Sequence, residues 1–123
     1  MNQKNVFTAI AAVLTLYSLF HYFMSDTLAS GIPIDPTGQE VASNLFQVCG
    51  VLGFGTALLY YATRNTPSIS WAFCIGTGLL VLNSLKHKFI DHANVPIPAI
   101  LFQAAICLAV GYVWLQDKRS STS

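Results

Sequence analysis

The sequence predicts an all-α fold: an integral membrane bundle of four antiparallel transmembrane helices. Three observations carry that expectation. Only 9% of the 123 residues are charged while 54% are hydrophobic, so a soluble fold would lack the polar surface to cover itself. Four stretches, residues 6–24, 41–62, 69–85 and 97–115, contain no Asp, Glu, Lys or Arg. Each is close to the ~20 residues that a helix needs to cross a hydrocarbon core about 30 Å thick. The third observation is that apolar residues run continuously through these stretches, whereas a barrel strand would alternate polar and apolar at every second position.

In the first span, 6–24, His21 is the one residue among His, Asp, Glu, Lys and Arg. A cleaved signal peptide is the rival reading, with Lys4 in the basic region and residues 27–29 as a small-residue cleavage site. The apolar run is longer than a normal signal core, and it ends in His21, Tyr22 and Phe23, which suit a membrane interface. Residues 25–40 hold two prolines, two glycines, three acids and no base, which predicts a loop with turns at Gly31, Pro33, Pro36 and Gly38.

The second span, 41–62, carries Asn44 and Gln47 one turn apart. Cys49, Gly53 and Ala57 follow at the four-residue spacing that lets membrane helices approach closely. The short connection 63–68, with its Asn-Thr-Pro turn, forces the third span to run antiparallel beside the second. That third span, 69–85, has a small-residue stripe at Ala72 and Gly76 and ends at Lys86, His87 and Lys88. A tight connection, residues 89–98, carries Asp91, His92 and two prolines. The fourth span, 97–115, starts at those prolines, which suit a first helical turn, and a polar tail, 116–123, follows.

Four spans put both termini on one side. Lys4, Arg64, Lys118 and Arg119 share that side against Lys86 and Lys88, so the positive-inside rule predicts cytoplasmic termini in a cell membrane, a bacterial inner membrane. Tyr60, Tyr61, Trp71, Tyr112 and Trp114 then form an aromatic belt at the inner interface.

With alternating helices, His21, Asn44, Gln47, Asn83 and Gln103 fall at one level, roughly 5–10 Å inside the outer boundary at 1.5 Å per residue. His21 shares a face with Ala11, Ser18 and Ser25; Asn83 continues the Ala72–Gly76 stripe; Gln103 lies on the line Ala99, Cys107 and Gly111. Small residues mark the packed side of a membrane helix, so the five are expected to face the bundle interior, as structural glue or as a ligand-binding pocket. An ionisable group inside a membrane is a functional-site candidate by default, which singles out His21.

Other chemistry has less support. The net charge of +1 and the absence of a basic run argue against nucleic acid. No serine–histidine–acid set, paired catalytic carboxylates or phosphate loop is present, and no cofactor is expected. Two of His21, His87 and His92, on different helices near one membrane surface, could ligate a haem iron, and His87, Asp91 and His92 could bind a surface metal; a solvated loop is the more ordinary reading. Cys49, Cys74 and Cys107 lie in apolar stretches with no Cys-x-x-Cys pairing, which fits core-filling residues better than a disulfide framework.

The order of one span, an outward loop, a span containing NLFQVCGVLGFG, a third span ending in polar residues before a Pro-containing loop, and a fourth with a polar group in its first half resembles the small four-helix membrane proteins related to the DoxX-like group. The resemblance covers most of residues 6–115 and implies fold more than activity. Those relatives commonly carry a basic residue in the third span and an acid in the fourth, where this chain has Asn83 and Gln103. The expected function is binding of a lipophilic small molecule or docking against a larger membrane protein within the lipid bilayer. The alternatives are a membrane enzyme using His21 as acid or base, or a channel or transporter assembled as a homo-oligomer.

Overall fold

The computed structural model describes residues 2–66, 69–92 and 95–120, with Ser120 described by its backbone alone. Five helices account for most of these: α1 (Gln3–Phe23), α2 (Ser25–Ser30), α3 (Pro36–Thr63), α4 (Ser70–Phe89) and α5 (Ile97–Ser120). Three of them, α1, α3 and α5, are long and apolar enough to cross a membrane. Helix α4 is 20 residues long, and Asn83 with the Lys86-His87-Lys88 run lowers the hydropathy of its C-terminal half.

The chain divides into two compact units, Phe7–Thr63 and the remainder, in which the first residues up to Val6 join the chain from Arg64 onward. In the first unit α1 and α3 form an antiparallel pair. Phe7 meets Tyr60 edge to face at 5.0 Å, and at the other end of the pair Ser18 and Tyr22 lie against Gly50. Gly50 is required there: a Cβ at that position would lie 2.8 Å from the Ser18 carbonyl oxygen and 3.0 Å from the Tyr22 nitrogen. The packed faces are the Phe7, Ala11, Ser18, Ser25 line of α1 and α2 and the Ser43, Gly50, Ala57, Tyr60 line of α3, all buried.

The segment 25–40 departs from the expected loop in two places. Its first six residues form α2, which follows α1 after a single non-helical residue, Met24. Nothing before Gly31 in this stretch breaks a helix, and burial of Ser25 and Ala29 holds it. Helix α3 begins at Pro36, five residues before the uncharged run. Asp35 caps it, its Oδ1 accepting the Gly38 N–H at 2.6 Å, while Pro36 occupies the first helical position. The Asp-Pro-Thr-Gly sequence is therefore a helix start and not a free turn.

In the second unit α4 and α5 run antiparallel. Ser70 at the start of α4 donates to the Asp117 carboxylate near the end of α5 at 2.8 Å, and Ser84 donates to Gln103 Oε1 at 2.8 Å. Between these bonds Cys74 faces Gly111 and Cys107 faces Gly78, so small side chains fill what glycines leave open. Ile69 supplies no side-chain cap to α4, and the Asp117 carboxylate instead places negative charge at that helix start, where it complements the helix dipole. At the chain's start Asn2 caps α1 through the Asn5 N–H, and Gln3 Nε2 donates to the Thr66 carbonyl at 2.7 Å, which fixes the connection after α3. The predicted turn at Pro67 and Ser68 lies outside the described residues.

Candidate functional site

Of the five polar residues singled out from the sequence, three belong to the first unit. His21 is half-buried at the edge of the α1–α3 contact. Its Nδ1 lies 3.0 Å from the Tyr17 carbonyl of its own helix, and its ring sits 3.9 Å from Tyr17, 5.8 Å from Phe20 and 5.9 Å from Phe46. The imidazole is thus seated in an aromatic setting, with no carboxylate among these contacts. Gln47 is half-buried and donates to Ser25 Oγ at 3.2 Å. Asn44 is exposed, one position along from the buried Ser43. In the second unit Gln103 is half-buried against Ser84, while Asn83 is exposed. Within each unit, among the described residues, no hydrogen bond joins two members of the set; serines on the facing helix are the partners.

The polar seam of the first unit joins Gln47 and Ser25 with three residues that the sequence did not mark out, Asp26, Ser43 and Gln39. Ser43 donates to the Asp26 carboxylate, Gln47 bonds Ser25, and Gln39 Nε2 reaches the Ile32 carbonyl at 3.3 Å. The first two bonds fasten α2, and the third the residues just after it, along the first three turns of α3. The signal that could have found Ser43 is its spacing from Gln47, four residues apart and therefore on one face of α3.

The exposed amides lie on a second set of faces. On α3, Asn44 and Gly55 are eleven residues apart, close to three full turns, with Ala62 two further turns along. All three are exposed, and a Cβ on Gly55 would meet nothing within 4 Å. On α4, Ala72, Gly76 and Asn83 share a face and are likewise exposed, with open space at Gly76. The Ala72–Gly76–Asn83 stripe, expected to pack inward, is not the face that α4 turns toward α5; Cys74 and Gly78 occupy that face. Cys49, expected to pack with Gly53 and Ala57, is also exposed. On α3, α4 and α5, Leu52 (65%), Leu79 (60%), Leu101 (63%) and Leu108 (74%) present large apolar side chains outward.

Two further features complete the inventory. An apolar groove of about 280 Å³ in the first unit is lined by Ser18, Tyr22, Phe23, Gly50, Val51 and Phe54. Past the end of α4, Asp91 accepts from Lys86 Nζ at 2.9 Å and lies 2.7 Å from His87 Nδ1, and Lys88 donates to the Val95 carbonyl. His92 sits there with φ of 54°, a left-handed turn. Among the described residues no group of three His, Cys, Asp or Glu side chains is arranged to hold a metal ion. No family model, curated protein or solved structure matches this chain.

Proposed function

We propose that this is a four-span accessory protein of the bacterial inner membrane, each of whose two units docks against a membrane helix of a partner, one through the outward stripe of α3 and the other through that of α4. The observation that carries the proposal is the pair of exposed amides, Asn44 and Asn83, each set on a face with a glycine that has open space around it. Both lie inside stretches free of charge. An amide with no partner in hydrocarbon costs several kcal/mol, on the order of 4 or more against an alkane reference, so such a group favours association with a helix that can bond it. Small residues beside it allow the close approach that the bond needs. A second copy of the chain would serve as partner as readily as a different protein. In this reading α4 also crosses the membrane, as the third of four spans, both termini are cytoplasmic, and kinship with DoxX-like proteins accounts for the order of spans.

A test follows from separating docking from folding. N44L and N83L, alone and together, remove the amides from exposed positions and should leave helical content and detergent stability unchanged. Chemical crosslinking in native membranes should show an adduct with the wild-type chain that the double variant loses. An undiminished adduct with N44L/N83L would overturn the proposal.

The groove beside Gly50 favours a second reading, binding of a lipid acyl chain. Its lining is apolar, its walls are the rings of Tyr22, Phe23 and Phe54, and none of the five polar candidates lines it. Retention of copurified lipid by the wild type, and its loss in V51W, would favour this reading over docking.

A further inference from the structure

Cys74 and Cys107 stand on neighbouring helices of one unit, and their surroundings are built around sulfur. Each thiol faces a glycine on the opposite helix: a Cβ on Gly111 would lie 3.5 Å from Cys74 Sγ, and one on Gly78 would lie 3.8 Å from Cys107 Sγ. The two glycines therefore let α4 and α5 approach closely, with the cysteines placed diagonally between them. Cys107 Sγ lies 3.9 Å from the Cys74 carbonyl oxygen, so the thiol of one cysteine rests on the backbone of the other. Both are half-buried, whereas Cys49 is exposed in the other unit.

We propose that Cys74 and Cys107 form a dithiol site that closes to a disulfide between α4 and α5 on oxidation by a lipid-soluble quinone. The two S–H bonds break and one S–S bond forms; the two electrons and two protons reduce the quinone to its hydroquinone. The sulfurs lie in helix stretches without a formal charge, so the co-reactant must be apolar enough to reach them through lipid or packed side chains. Closure would bind α4 and α5 covalently; the glycines bring the two backbones together, and the sulfurs, now set diagonally, must turn toward each other to reach the S–S bond length of about 2.05 Å. This inference stands apart from the docking stripes, which lie on another face of α4.

The test uses the full-length protein in lipid nanodiscs with C49S as background, treated with a fully substituted benzoquinone that cannot add to thiols. Intact mass should fall by two hydrogens, maleimide labelling in SDS should drop from two sites to none, and dithiothreitol should restore both. C74S and C107S in the same background should each keep one labelled thiol and show no mass loss. Two thiols still labelled after quinone treatment would overturn the proposal. So would a product consisting of crosslinked dimers or of sulfur oxyacids.

Discussion

Replacing Gly50 by alanine tests the packing of the first unit at the atom level. The added methyl would sit 2.8 Å from the Ser18 carbonyl oxygen, 3.0 Å from the Tyr22 nitrogen and 3.1 Å from the Tyr22 Cβ. The two nearest are backbone atoms, so no rotamer change relieves the contact and α1 and α3 must separate. Overpacking of this kind costs about 1–3 kcal/mol. A glycine-to-alanine change also improves helix propensity, by roughly 1 kcal/mol in water, so G50A alone would understate the clash. Gly55 supplies the correction: it sits in the same helix with open space around it, and G55A gains the propensity without the clash. The difference between the two variants isolates the overpacking, which at about 1–3 kcal/mol is a change of roughly 5- to 150-fold in the folding equilibrium. G53A should fall between them. Its methyl would approach the Ser18 hydroxyl, a group that can rotate away at the expense of its 2.6 Å bond to the Leu14 carbonyl. Far-UV circular dichroism across an SDS titration in mixed micelles would measure all three. Equal midpoints for G50A and G55A would refute the close approach of α1 and α3 at this level.

Three other outcomes are expected. D35A removes the cap of α3 and should cost about 1 kcal/mol in the same titration, while D35N, which keeps an acceptor, should lose little. Q103L should cost less than about 1 kcal/mol, because the Ser84 hydroxyl can turn back to a carbonyl of its own helix, as Thr77 does to Phe73. D117L leaves the fully buried Ser70 hydroxyl without its carboxylate and should cost about 1–3 kcal/mol, with S70A in the same protein adding little more. For the four-span topology, cysteines introduced at Thr37 and Ser121 should label from opposite sides of the membrane, and labelling from the same side would count against it.

The helices were legible because length without charge is a strong constraint, and four uncharged runs correspond to α1, α3, α4 and α5. Which face of each helix packs was not. Helix α4 has two stripes of small residues, Ala72–Gly76 and Cys74–Gly78, two positions apart and therefore on opposing sides. Spacing is the same in both, and the choice between them is made by α5, where Gly111 and Cys107 fit the second stripe. On α3 the contrast is between Cys49 and Gly50, neighbours in sequence, of which the backbone of Ser18 and Tyr22 admits only the glycine. Helix α2 was missed because its six residues carry no span-like pattern and their helicity depends on burial of Ser25 and Ala29. Gln47 and Gln103 were recognised as partners to other helices, but serine, an unremarkable residue in a sequence, turned out to be what they bond.

The Asp35 cap has one further consequence. Helix α3 runs for 28 residues, about 42 Å, whereas its uncharged part, residues 41–62, spans about 33 Å. Placing that part in hydrocarbon leaves the turn from Pro36 to Glu40 outside it, with α2 fastened along the same end through Asp26, Ser43 and Gln39. Residues 25–40 are then a small shaped epitope and not a slack tether. An antibody raised against the folded protein at this end would read the juxtaposition of two helices, and a synthetic peptide of the same sixteen residues would compete with it poorly. Such a reagent would report whether the first unit is assembled, without any label placed in the membrane.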